Sequence, residues 1–142
     1  MPDLTIGTFT LGPFETNCYL LREAESDRCW LIDAGFDPQP LLGYIESEGL
    51  TLQAVMLTHA HADHIAGLGL VREAFPGVPI VVHTAEADWC QDPYSNLSAT
   101  HGIPITVPSP TAFHEDDAEI EMAGRTWKVL FTPGHSPGGG TF

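Results

Sequence analysis

Three imidazoles and one carboxylate fall within His59-Ala60-His61-Ala62-Asp63-His64, directly behind the apolar run Leu52 to Leu57. Four strong donors that close together need something to neutralise and orient them. Imidazole nitrogen and carboxylate oxygen both suit a divalent ion such as Zn²⁺ or Fe²⁺. The bland alternative is a solvated His-rich loop, and donor density behind a strand signal argues against it. In extended backbone, side chains two apart point the same way. His59 and His61 can therefore chelate one ion, while His64 lies out of phase and is free to face a second. Asp63 sits where a helix should begin and alone would read as an N-cap. Beside three imidazoles it reads as a ligand or a general base.

Strand and helix signals alternate around this segment. Residues 4–11 and 16–22 read as strands joined by a turn at Gly12-Pro13-Phe14, and Cys29 to Ile32 as a third strand ending at Asp33-Ala34-Gly35. Pro38 to Glu48 carries Leu41, Leu42 and Ile45 at helical spacing and is stopped by Gly49. Leu52 to Leu57 is a continuous apolar strand. Ile65, Leu68, Leu70, Val71 and Phe75 predict a helix that Gly67 and Gly69 weaken. Pro79 to Val82 reads as a short buried strand, and Thr84 to Cys90 as the start of a helix. Residues 91–117, rich in Pro, Ser, Asn and Asp, predict an irregular excursion. Strands near 118–122 and 126–131 then lead into Thr132-Pro133-Gly134-His135-Ser136-Pro137-Gly138. The alternation predicts an α/β (α+β layered) fold in a single domain over residues 1–142. Both polar loops, 58–64 and 132–138, follow strands, where ligand sites collect in layered α/β proteins.

Charge excludes some functions. Lys and Arg total 5 against 19 Asp and Glu, a formal charge of −14 that repels phosphate backbones and anionic lipid. Neither a nucleic-acid nor a membrane partner is expected. Cys18, Cys29 and Cys90 share no CxxC spacing, so buried free thiols in a reducing cytoplasm are expected rather than a disulfide framework.

His135 is remote in sequence, but its Pro-Gly-His-Ser-Pro-Gly setting is rigid at both ends and permissive in the middle, which suits a distant third ligand. Asp33 either caps its turn or orders an imidazole from behind the ligands. His83, His101 and His114 are scattered and read as surface or supporting residues. Cys18 lies in an apolar strand and reads as inert. Trp30, Trp89 and Trp127 read as core and rim residues.

His59-Ala60-His61-Ala62-Asp63-His64 resembles the HxHxDH signature of the metallo-β-lactamase superfamily. Asp33 stands where that superfamily has its first-motif Asp, and the loop around His135 resembles its TPGHTPG motif. Gly12 to Leu20 and Asn96-Leu97-Ser98-Ala99 look like the glyoxalase II-like (hydroxyacylglutathione hydrolase-like) branch. The resemblance implies an αββα sandwich with two metal positions at one edge of the sheets. It implies that His59, His61 and His135 hold the first metal and that Asp63 and His64 supply part of the second. The cofactor would be Zn²⁺, one or two ions, with Fe²⁺ as the other candidate. A hydroxide shared by the metals would attack a carbonyl carbon, with Asp63 as the catalytic carboxylate orienting it. Family members continue past this loop to a bridging Asp and a last His, and the chain ends at Gly139-Gly140-Thr141-Phe142. The expected fold is thus incomplete at the C-terminus, the N-terminal portion of a longer hydrolase, with a sheet face that a homodimer or swapped segment would cover.

The resulting expectation is a metal-dependent hydrolase that cleaves a small-molecule thioester such as a hydroxyacylglutathione, the 142-residue piece itself having little activity. An Fe²⁺ persulfide dioxygenase and a lactonase or β-lactamase use the same scaffold. A non-catalytic metal-binding module is the alternative of another class.

Overall fold

The computed structural model describes residues 3–142 and is built on one six-stranded sheet in the order β1-β2-β3-β4-β5-β6. β1 (Leu4–Leu11), β2 (Thr16–Glu23) and β3 (Arg28–Ile32) form an antiparallel meander, with Leu11 opposite Thr16 at the tight turn. β4 (Thr51–Met56), β5 (Ile80–His83) and β6 (Ala112–His114) add in parallel. Parallel pairing requires crossovers, and two of them carry the helices. Helix α1 (Gln39–Ser47) joins β3 to β4; α2 (Ala62–Ile65) and α3 (Leu68–Ala74) lie between β4 and β5.

Strand alternation divides the core in two. On one face Leu20, Leu31, Val55 and Val82 pack with Leu41, Leu42 and Ile45 of α1 and with Ile65, Leu68 and Val71 of α2 and α3. On the other face Leu21, Trp30, Ile32 and Met56 meet Met122 and Ala123 at the tip of the hairpin β7 (Glu119–Met122) and β8 (Arg125–Lys128). A last small pair joins β9 (Leu130–Phe131) to β10 (Gly140–Thr141). Cover on this second face is partial. An apolar groove of about 340 Å³ runs between Ile6, Tyr19, Leu21, Ile32, Trp127 and Phe142, and Ile6 stays 51% exposed.

The layered α/β expectation holds, with four local corrections. The helix expected across 65–75 is divided at Gly67. The cause is a close approach: a Cβ at Gly67 would lie 2.4 Å from the Gly35 carbonyl oxygen, and the Gly67 N–H donates to Ala34 O at 2.8 Å. The helix expected from Thr84 is two separate 3₁₀ turns, Thr84–Glu86 and Trp89–Gln91. β6 lies inside the stretch that composition marked as irregular, because a three-residue strand pairing at a sheet edge leaves no period to read. β10 forms only through its contact with β9, a pairing local sequence does not encode.

Candidate metal centre

The His-rich segment leaves the C-terminal end of β4 as extended backbone and turns into α2 at His61, which occupies the N-cap position. Asp63 therefore lies in the first turn of the helix rather than at its cap, so the N-cap role considered for Asp63 taken alone does not apply. The loop carrying His135 links β9 to β10 and is tied back to the first segment by the Gly140 N–H donating to Thr58 O at 2.9 Å.

One ligand atom each from His59, His61 and His135 lies within 4.8 Å of the others. His61 Nδ1 and His135 Nε2 are 3.0 Å apart. Two nitrogens bound to one tetrahedral ion at about 2.05 Å would sit about 3.3 Å apart, so the pair is already near ligand spacing. His59 presents Nε2, a buried nitrogen with no hydrogen-bond partner. Its tautomer follows from Thr58. The Thr58 hydroxyl has one proton and donates it to Asp33 Oδ2 at 2.7 Å, so at 3.0 Å it accepts from His59 Nδ1–H. The lone pair of His59 is thereby left on Nε2. Burial, then the neighbouring His64, push His59 down to about 4, so its imidazole is neutral and ready to ligate. Burial and the adjacent His135 also lower His61. This donor set fits a divalent ion.

Asp63 and His64 form a second arm beside the first. His64 Nδ1 lies 2.8 Å from Asp33 Oδ2, which directs Nε2 toward Asp63 Oδ2 at 3.3 Å. Burial pulls His64 down, but the hydrogen bond and charge of Asp33, with a contribution from Asp63, outweigh it and hold the imidazole above its ordinary value. Asp33 is 2% exposed, with φ 62°, a conformation Asp tolerates better than most residues. Its Oδ1 also accepts from the Thr58 N–H at 2.8 Å. Asp33 thus contacts both the His64 imidazole and the Thr58 backbone, rather than only its own turn.

Supports appear that sequence reasoning did not single out. The Thr16 hydroxyl at the start of β2 donates to Asp63 Oδ2 at 2.9 Å. The carbonyl of buried Asn96 accepts from the Ala62 N–H at 2.8 Å. Both lie in stretches that carried the softer glyoxalase II-like resemblance, which was the available signal. Glu86, fully buried, was missed, and a lone Glu in a predicted helix gives no cue. Trp89 stacks on the His61 ring at 5.6 Å and so forms part of the rim. His83 and His114 are buried at the ends of β5 and β6, outside the ligand cluster, and His101 is exposed. Cys18 is buried, with its thiol pushed up to about 11 by desolvation, in keeping with an inert role. A cavity of about 230 Å³ opens onto His61, Asp63 and His135 between Phe14, Leu97 and His101.

The similarities to known proteins point the same way. The family model described as the metallo-beta-lactamase superfamily matches residues 11–142. A probable metallo-hydrolase, YqgX of Bacillus subtilis (strain 168), is 38% identical over 129 residues, covering 90% of this chain and 60% of the relative. A hydroxyacylglutathione hydrolase of Vibrio parahaemolyticus is 33% identical over 129 residues, covering 91% of this chain and 43% of that protein. The crystal structure of the B3 metallo-beta-lactamase BLEG-1 superposes with a TM-score of 0.89 at 35% identity, over 96% of this chain and 65% of that one. The chain thus spans about half the length of the curated relatives it matches. Matching the family model over most of its length, with the His-rich segment and His135 converging as that resemblance implied, the chain belongs to the metallo-beta-lactamase superfamily.

Proposed function

We propose that this chain is the metal-bearing portion of a hydrolase that cleaves small-molecule acyl thioesters of the hydroxyacylglutathione kind, with Zn²⁺ at the His59, His61 and His135 position. The observation that carries the reading is the convergence of those three donors beside the Asp63–His64 pair. A divalent ion bound there supplies Lewis-acid polarisation of a carbonyl and a nucleophilic water at neutral pH.

The protein groups divide the remaining work. Asp33 and Thr58 fix the imidazole tautomers, so that His59 and His64 turn Nε2 toward the centre. Thr16 holds Asp63 Oδ2 and leaves Oδ1 to orient the nucleophile and take its proton. Phe14, Leu97 and His101 wall the approach with apolar and aromatic surface suited to an acyl or thiol portion of the substrate. The relationship to hydroxyacylglutathione hydrolases supports the thioester class, and the −14 charge favours a small-molecule substrate in the cytoplasm over nucleic acid or a membrane surface. Among the described residues, no helix is long and apolar enough to cross a membrane. Dimerisation through the groove beside Ile6 and Tyr19 is the assembly we would test first.

Elemental analysis of the purified protein, followed by hydrolysis of S-lactoylglutathione by the full-length zinc-loaded enzyme, tests the proposal. Zinc bound with thioester turnover is expected. A zinc-loaded, well-folded full-length enzyme inert towards acyl thioesters refutes the substrate class, and oxygen uptake with glutathione persulfide by an iron form replaces it with the dioxygenase. Metal-free protein at every stage points to a non-catalytic module.

A further inference from the structure

Glu86 has no part in the chemistry described so far, yet it is fully buried and lies in the 3₁₀ turn just after β5. Its two oxygens are both engaged, and with different loops. Oε2 accepts from the Ala60 N–H at 2.6 Å, and Oε1 accepts from the Gly138 N–H at 2.8 Å. Ala60 is the residue between His59 and His61, and Gly138 closes the loop that carries His135. One carboxylate therefore joins the two segments that must meet for the three-His set to exist.

The surroundings are built for this contact. A Cβ at Gly138 would lie 2.9 Å from Glu86 Cγ and 3.1 Å from Oε1, so only glycine allows the loop to approach this closely. His83 anchors the turn from both ring nitrogens: Nδ1 accepts from the Ala85 N–H at 3.1 Å, and Nε2 lies 2.7 Å from Asp116 Oδ1. Among the described residues, no Lys or Arg forms an ion pair with Glu86. Its carboxylate is held instead between the two ligand-bearing loops by their backbone N–H groups, which keeps its charge beside the cluster. The same charge would favour a divalent cation in the cluster.

We propose that Glu86 is a positioning residue of the metal centre: its carboxylate clamps the His59–His61 segment to the His135 loop and sets their spacing for one ion. The inference rests on the metal-binding reading above, but not on the choice of substrate. A carboxylate can accept both N–H groups, whereas an amide of the same shape must turn an NH₂ toward one of them. Glu86→Gln is therefore the informative variant, and Glu86→Leu, which removes both acceptors, is its extreme.

The test is zinc affinity by chelator competition on wild type and Glu86→Gln, with the visible spectrum of the Co²⁺ forms as a reporter of ligand geometry. A 10- to 100-fold weaker zinc affinity and an altered Co²⁺ spectrum are expected, the range typical of outer partners of metal ligands. Wild-type amide NMR provides an arm that does not depend on the variant folding. The Ala60 and Gly138 amide protons should be shifted downfield and protected from exchange, as charge-assisted bonds require. A folded Glu86→Gln with affinity within twofold of wild type overturns the proposal, as do rapidly exchanging Ala60 and Gly138 amides. Wild type that binds zinc but cleaves no thioester refutes the substrate class and leaves the clamp standing; wild type that binds no zinc refutes both.

Discussion

The two arms of the candidate centre share one six-residue segment but are held by different means. His59 and His61 meet His135 from a loop five strands later, and their spacing depends on contacts between loops. Asp63 and His64 sit on the first turn of α2, where Thr16 of β2 holds Asp63 and Asp33, directly after β3, holds His64. The first arm brings three donors together and relies on loop closure. Among the described residues the second offers two donors, 3.3 Å apart, at adjacent positions of one short helix. If the first arm holds an ion as proposed, loop geometry would set its metal affinity.

Removing a ligand from each arm should separate them most strongly. His59→Ala should weaken the first zinc by more than roughly 100-fold, since losing a ligand exceeds the effect of losing an outer partner. His64→Ala should leave that first zinc within about tenfold, because its side chain belongs to the other arm. Equal losses in chelator competition would show that the arms do not act separately.

Asp33→Asn probes the residue the arms share. Asp33 orders His64 directly and His59 through Thr58, and an amide cannot accept from all three donors now on its oxygens. A 10- to 100-fold loss of zinc affinity is expected at both arms, with a destabilisation of about 1–3 kcal/mol from a stranded donor. A loss confined to one arm, measured by stepwise Co²⁺ titration, would place Asp33 in that arm alone.

The arms should also differ in the sign of their response to pH in metal-free protein. His59 is held down to about 4, so the unfolded chain binds more protons between roughly pH 6.5 and 4. Its contribution to stability is full above about 6.5 and is lost as pH falls through about 4. His64 is raised, so its contribution is full below about 6.5 and is lost as pH rises through its folded value. Thermal midpoints across pH should show a shallower acid slope for His59→Gln than for wild type. An unchanged slope would mean that His59 is not the neutral buried imidazole inferred here.

The smallest effect is expected behind the second arm. Cys18 accepts from the Gly35 N–H at 3.3 Å, and burial pushes its thiol up to about 11. Cys29 and Cys90 are pushed to about 12, again chiefly by burial. Native protein at pH 8 should resist alkylation of all three for hours, with full labelling in denaturant. Rapid native labelling of Cys18 with loss of metal would bring that thiol into the centre.

Much of this was legible along the chain because it depends on neighbours in sequence. The alternation of β1, β2 and β3, the helical spacing of Leu41, Leu42 and Ile45, and the glycine after α1 are local patterns, and each element formed close to its expected bounds. The His-rich segment and the His135 loop were equally plain, since ligand types and turn residues are printed in the sequence. Three-residue β6 and the β9–β10 pair were not, because their stability comes from the partner strand rather than from their own residues. Nor was the break at Gly67, which is set by the Gly35 carbonyl 2.4 Å from where a Cβ would be.

The sequence alone therefore determined the candidate ligand types, the layered fold class and the superfamily resemblance, all of which reside in residue identity and short-range order. Only the tertiary structure decided which partner each polar group would have. That Asp33 serves both arms, that Thr16 holds Asp63, and that Glu86 joins Ala60 to Gly138 follow from hydrogen bonds spanning 25 to 52 residues. Such bonds form because buried donors and acceptors must find partners once the two core faces close, and the geometry of that closure chooses them.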